Sequence, residues 1–152
     1  MHSQRTRDTV DALNELLRGE LAAVETYNQA LTILKESEAR QDLRECQSSH
    51  QGRVLRLRAE ILDRGGDPAE TSGAWGFFAN LVEKGAKVVG PGTAVSALEA
   101  GEDHGLKEYQ QVLPTLDMPA RSVVSADLYP QQVRTHSIVS ALKHTLEARP
   151  TA

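Results

Sequence analysis

Apolar residues recur along this chain at intervals of three and four. From about residue 8 to residue 35, Val10, Leu13, Leu16, Leu17, Leu21, Val24, Leu31 and Leu34 keep that spacing with no proline to interrupt them, which predicts one long helix. The polar link Glu36-Ser37-Glu38 is short, so a second helix over about 39–64 is expected to return antiparallel beside the first. Its inward face reads Leu43, Cys46 or Gln47, His50, Val54, Leu57 and Ile61. Gly65-Gly66-Asp67-Pro68 then ends it, because paired glycines suit a helix C-cap and proline suits the turn beyond. Glycines at 73, 76, 85, 90 and 92 punctuate the next stretch, which also holds Trp75, Phe77 and Phe78. A short helix over about 73–88 is expected there, inside a crossover long enough to join two parallel, non-adjacent helices. A third helix over about 92–113 stops at Pro114. The fourth, about 118–148, starts with Asp117 or its neighbour as N-cap and Pro119 in its first turn, and should kink near Pro130. The expected fold is therefore all-α: a single four-helix-bundle domain over residues 1–152, with a long crossover between helices two and three.

Composition narrows the partners. The chain has 152 residues, a net charge of −4 and 25% charged residues, with no Lys/Arg run that would mark a nucleic-acid footprint. Aromatic residues are only 4%, which favours helices over a sandwich or barrel. The single Cys46 excludes an intrachain disulfide framework and suits a reducing compartment. No charged-then-apolar leader opens the chain, and no apolar run approaches the roughly 18 residues of a membrane span. A cytoplasmic protein is expected, without nucleic-acid or membrane partners, and a homodimer.

One stretch occurs twice. Gly19-Glu20 is followed seven residues later by Tyr27, and Gly101-Glu102 seven residues later by Tyr109, with Ala12, Leu16, Gln29 and Leu31 in register with Ala94, Leu98, Gln111 and Leu113. At 100° per residue a spacing of seven returns to within about 20°, so each Glu and Tyr share a helix face with the core leucines. Two carboxylates therefore point into an apolar interior, where an uncompensated charge is costly. His50 follows Glu20 by one helix, and His136 follows Glu102 by one helix. Glu20, His50, Glu102 and His136 can converge from four helices, and two carboxylates with two imidazoles are a sensible ligand set for zinc, iron or manganese. The same residues can equally form a metal-free layer, with each Glu satisfied by a cross-bundle His or by the hydroxyl of Tyr27 or Tyr109. His2, His104 and His144 read as surface residues.

The order of the long helices, the Gly-Glu-Asp-x-x-x-Lys-x-Tyr stretch from Gly101 to Tyr109, the Ser72-Gly73-Ala74-Trp75-Gly76 crossover and the fourth-helix His136 resemble a bacterial family of ferritin-like, rubrerythrin-related four-helix bundles. That family is related to YciF-type stress proteins and is largely of unknown function. The resemblance implies a di-iron or di-manganese centre, with a Glu from the first and third helices and a Glu-x-x-His from the second and fourth. Glu20 and Glu102 match the former, and His50 and His136 match the histidines. Three residues before those histidines stand Gln47 and Val133, however, so both paired carboxylates are missing. Glu25, Glu45 and Glu99 lie off the ligand face or at its edge. The expected cofactor is at most one divalent ion (Fe, Zn or Mn) and not a full di-iron centre.

Three functions compete on this reading. The first is a ferritin-like bundle of stress-related or scaffolding role, with a reduced Glu/His site. The second is a ferroxidase- or peroxidase-type oxidoreductase, which needs redox iron with open coordination positions. The third is an interaction module using Trp75, Phe77 and Phe78. No nucleophilic triad, phosphate-cradling loop or Cys-x-x-Cys pair is present.

Overall fold

The computed structural model describes residues 2–35, 37–72 and 90–148. The expected short helix over 73–88, with Trp75, Phe77 and Phe78, lies outside the described residues. Among those described there is no strand, and four helical limbs form two hairpins. Helix α1 (His2–Ile33) packs along α2 (Ser37–Asp63), and α3 (Pro91–Val112) packs along a broken fourth limb. That limb comprises α4 (Met118–Val123), a π-helical turn (Val124–Leu128) and α5 (Tyr129–Ala148). The hairpins meet with α1 beside α3 and α2 beside α5.

Each boundary has a local cause. Arg40 on α2 donates to the carbonyls of Leu31 and Leu34, giving the end of α1 both donors and a favourable charge. At the end of α2, Gly65 adopts φ 72° and the Gly66 amide reaches back to the Ile61 carbonyl at 2.9 Å, a left-handed cap that glycine adopts without strain. The chain leaving α2 is pinned to α1 by Asn14, whose amide donates to the Asp67 carbonyl (3.0 Å) and accepts from the Ala69 amide (2.8 Å). Asp117 caps α4 by accepting from the Ala120 amide at 2.9 Å. Pro130, at the second position of α5, has no N–H to give a helical ladder. The π turn lies just before it, with the Tyr129 amide donating five residues back to Val124.

Burial falls into two apolar clusters. One gathers Ala22, Ala30, Leu34, Leu43, Leu98 and Val139 near the α1–α2 link. The other gathers Leu13, Leu17, Leu57, Ile61, Leu116 and Leu128 towards the opposite end. Between them, on each of the four limbs, buried residues turn polar: Glu20, His50, Arg53, Glu102, Gln132 and Thr135 are each at most 3% exposed.

Candidate functional site: a buried carboxylate layer

In this layer the imidazole of His50 stands between the two glutamates. Its Nδ1 lies 2.5 Å from Glu20 Oε2 and its Nε2 lies 2.7 Å from Glu102 Oε1. An ionised carboxylate can only accept, so both ring nitrogens must donate and His50 is an imidazolium. Burial alone would lower its pKa, but Glu20 and Glu102 outweigh that and hold it above the ordinary value. Burial would likewise raise both carboxyls. For Glu20 the Arg53 guanidinium and His50 reverse that, and for Glu102 His50 and the Tyr27 hydroxyl do so, leaving both below the usual range.

The second cation is Arg53, one helical turn from His50 and 0% exposed. It donates to Glu20 Oε1 at 3.1 Å, to the amide oxygen of Gln132, and to Thr135 Oγ1 at 3.1 Å. Gln132 in turn donates to the Glu102 carbonyl and to Glu102 Oε2, both at 2.9 Å. The Thr135 hydroxyl donates to the same Oε2 at 2.8 Å. Two carboxylates thus meet two cations, and the layer is neutral with its hydrogen bonds closed.

The repeated Glu/Tyr stretch is used reciprocally. Tyr27 on α1 donates to Glu102 on α3 at 2.6 Å, and Tyr109 on α3 donates to Glu20 on α1 at 2.7 Å. Burial and the adjacent carboxylate push both phenols well above their ordinary pKa, so they remain donors. Cys46, beneath Tyr27, is held up to about 12, first by burial and then by Glu102, which leaves it a thiol at neutral pH.

Three of the four residues named from sequence, Glu20, His50 and Glu102, come together. His136 does not join them: it sits at the surface of α5 with its Nε2 2.5 Å from Asp103 Oδ1. The duplication explains why. Glu102 and Tyr109 each lie 82 positions after Glu20 and Tyr27, and the same step carries His50 to Gln132 and Arg53 to Thr135. His136 is instead the counterpart of half-buried Val54. Arg53, Gln132 and Thr135 were therefore missed, although this constant offset points to the last two. Gln47 and Val133 are not where the absent carboxylates would stand. Gln47 bonds Asn28 at 2.6 Å on the outside of α1, and Val133 is 41% exposed. Glu45 pairs with Arg134, Glu99 with Lys143, and Glu25 accepts from Ser72, all outside the layer.

The i, i+3 pairs facing the glutamates are His50/Arg53 on α2 and Gln132/Thr135 on α5. This is the spacing at which a ferritin-like dimetal centre carries Glu-x-x-His. None of the four residues repeats that motif's chemistry. The donors also fail to converge, because the imidazole separates the two carboxylates. Among the described residues no group of three His, Cys, Asp or Glu is placed to hold a metal ion. The residues present do not fit a dimetal centre.

A crevice of about 20 Å³ opens between α1 and α3 beside Glu20, His50 and Glu102, with Gly19, Gly101 and Gly105 in its wall. That is room for about one water molecule. Gly105 also keeps Gln132 in place, since a Cβ there would lie 2.7 Å from Gln132 Nε2. Gln132 is tied at both ends of its amide and cannot yield freely. Gly105→Ala is therefore expected to destabilise by about 1–3 kcal/mol through overpacking, against the gain of about 1 kcal/mol that alanine brings to a helix interior. Urea unfolding reads the sign, and a stabilised variant would refute the tight contact.

Fold and layer together define a ferritin-like four-helix bundle whose metal-facing positions carry other chemistry. The chain belongs to the family described as a domain of unknown function, DUF2383, whose model matches residues 8–115. Three solved structures share the fold. A ferritin-like, diiron-carboxylate protein from Bacillus anthracis str. Ames is 20% identical with TM-score 0.74, over 93% of this chain and 99% of that one. The two-domain Anabaena variabilis protein with DJ-1/ThiJ/PfpI-like and ferritin-like domains is 16% identical with TM-score 0.73, over 97% of this chain and 41% of that longer one. Dps from Thermosynechococcus elongatus is 14% identical with TM-score 0.72, over 98% and 96%. No curated protein matches the sequence. Among the described residues no helix is long and apolar enough to cross a membrane.

Proposed function

We propose that this chain is a ferritin-like module without a redox metal centre, whose inward layer fixes the register of the four helices and whose stress-related or scaffolding role is carried by its outer surface. The reading rests on one observation: all four carboxylate oxygens of Glu20 and Glu102 already accept from protein donors, one of them from a fully buried guanidinium. A ferroxidase or peroxidase needs carboxylate lone pairs and open positions for iron. Here they are spent on His50, Arg53, Gln132, Thr135 and the two tyrosines, while a polar layer closed in this way specifies one packing arrangement.

Metal analysis tests this directly. Protein purified without chelator and incubated with Fe(II), Zn(II) and Mn(II) is expected to retain less than about a tenth of an equivalent, since a ligand must outcompete bonds already made in the folded state. It is also expected to oxidise Fe(II) in air no faster than buffer. One retained equivalent, lost in His50→Ala, would overturn the reading in favour of a mononuclear centre.

Self-association as a homodimer belongs to the same proposal. Leu55 and Leu62, seven residues apart on α2, are 69% and 61% exposed and share one outward face. Sedimentation should show a dimer that Leu55→Glu/Leu62→Glu shifts to monomer; an unchanged mass would remove α2 as the contact.

A further inference from the structure

We infer that Arg53 is the residue that closes this bundle to divalent metal, its guanidinium supplying as a covalently attached cation the positive charge that Glu20 and Glu102 require. The inference rests on the metal-free reading above and names the residue responsible for it.

Geometry and charge balance carry the argument. Arg53 occupies the second position of an i, i+3 pair on α2, and its guanidinium touches the Glu20 carboxylate, the Gln132 amide oxygen and Thr135 Oγ1. It therefore spans from the first carboxylate to the fourth helix, across the space that ligands from α1, α2 and α5 surround. A divalent ion seated on Glu20 would stand within a few ångströms of that guanidinium and be repelled by it. The two cations of the layer differ in how firmly they are held. A metal can compete with the proton on an imidazole, because neutral imidazole is itself a ligand. A guanidinium keeps its charge at any physiological pH and offers no lone pair, and Arg53 is fully buried. The remaining layer agrees with this assignment. Gln132 and Thr135 add neutral dipoles and no third negative charge, so the carboxylates with Arg53 and the imidazolium already balance.

The test restores ligands stepwise and uses Co(II) alone as the probe, read by equilibrium dialysis and by its visible ligand-field absorption. The wild type should bind less than about a tenth of an equivalent, Arg53→His about one, and His50→Glu/Arg53→His/Gln132→Glu/Thr135→His about two, as the restored donor set of a dimetal bundle requires. Circular dichroism with and without Co(II) accompanies each measurement. A variant that folds only when Co(II) is present counts as binding. The inference is overturned if Arg53→His and the fourfold variant are folded yet take up no more Co(II) than the wild type, or if both stay unfolded with Co(II) present. Stoichiometric binding by the wild type would overturn the metal-free reading instead, so the two failures are read on different proteins.

Discussion

Replacing Arg53 with methionine is expected to cost about 3–5 kcal/mol of folding free energy, the penalty for leaving one member of a buried ion pair without its partner. Methionine matches the bulk of the arginine stem, so the loss reports charge and hydrogen bonds more than packing. Glu20 would keep His50 and Tyr109 but lose the 3.1 Å contact to the guanidinium. Gln132 and Thr135 would each lose a donor. For a chain of this size the melting temperature should fall by roughly 10 °C. Adding Glu20→Gln to Arg53→Met removes the unbalanced charge and should recover part of the loss, and that coupling is the decisive quantity. A loss below about 1 kcal/mol in the single variant, the range of surface ion pairs, would mean that the pair is far better solvated than its burial indicates.

The second large effect belongs to His50 and depends on pH. Its folded pKa is raised above the ordinary 6.5, so its contribution is fully present below pH 6.5 and drains away as pH rises through the folded value. Glu20 and Glu102 are depressed below 4.5, so theirs is present above pH 4.5 and lost as pH falls through their folded values. Stability should therefore peak in the mildly acidic range and decline towards alkaline pH by no more than about 1.4 kcal/mol per unit for this one proton. In His50→Gln the layer lacks the imidazolium, so the variant should be less stable than wild type at pH 6 by about 3–5 kcal/mol. The difference should shrink steadily as pH is raised to 9. Cys46 also contributes an alkaline decline, because its thiol is raised by burial, but it is shared by both proteins and cancels in the comparison. A difference that stays constant from pH 6 to pH 9 would mean that His50 is not the titrating group. The crevice beside it has room for a water molecule, so the proton can reach solvent.

How far the sequence could be read depended on the kind of signal. The three- and four-residue period that includes Leu13, Leu16 and Leu17 is enforced by burial, and it identified the bundle. The antiparallel return of the second helix beside the first followed from the short link between them. Glu20, Glu102 and His50 were legible because ionisable residues centred on apolar faces are exceptions to the pattern. Arg53 was not, since an arginine amid Gln51, Arg56 and Arg58 reads as part of a solvated face. Gln132 and Thr135 do not resemble ligands and His136 does, yet the repeat register makes Gln132, not His136, the counterpart of His50. Residue type was a worse guide there than the 82-residue offset.

By itself the sequence determined the all-helical bundle, the duplication behind it and the burial of two carboxylates, because all three follow from periodicity that each helix carries locally. What neutralises those carboxylates was decided only by the tertiary structure. Rotation of α2 and α5 about their axes brings Arg53, Gln132 and Thr135 inward and turns His136 out to Asp103. One residue along a helix is a turn of about 100°, and on α5 that angle separates the buried Thr135 hydroxyl from the surface ion pair of His136.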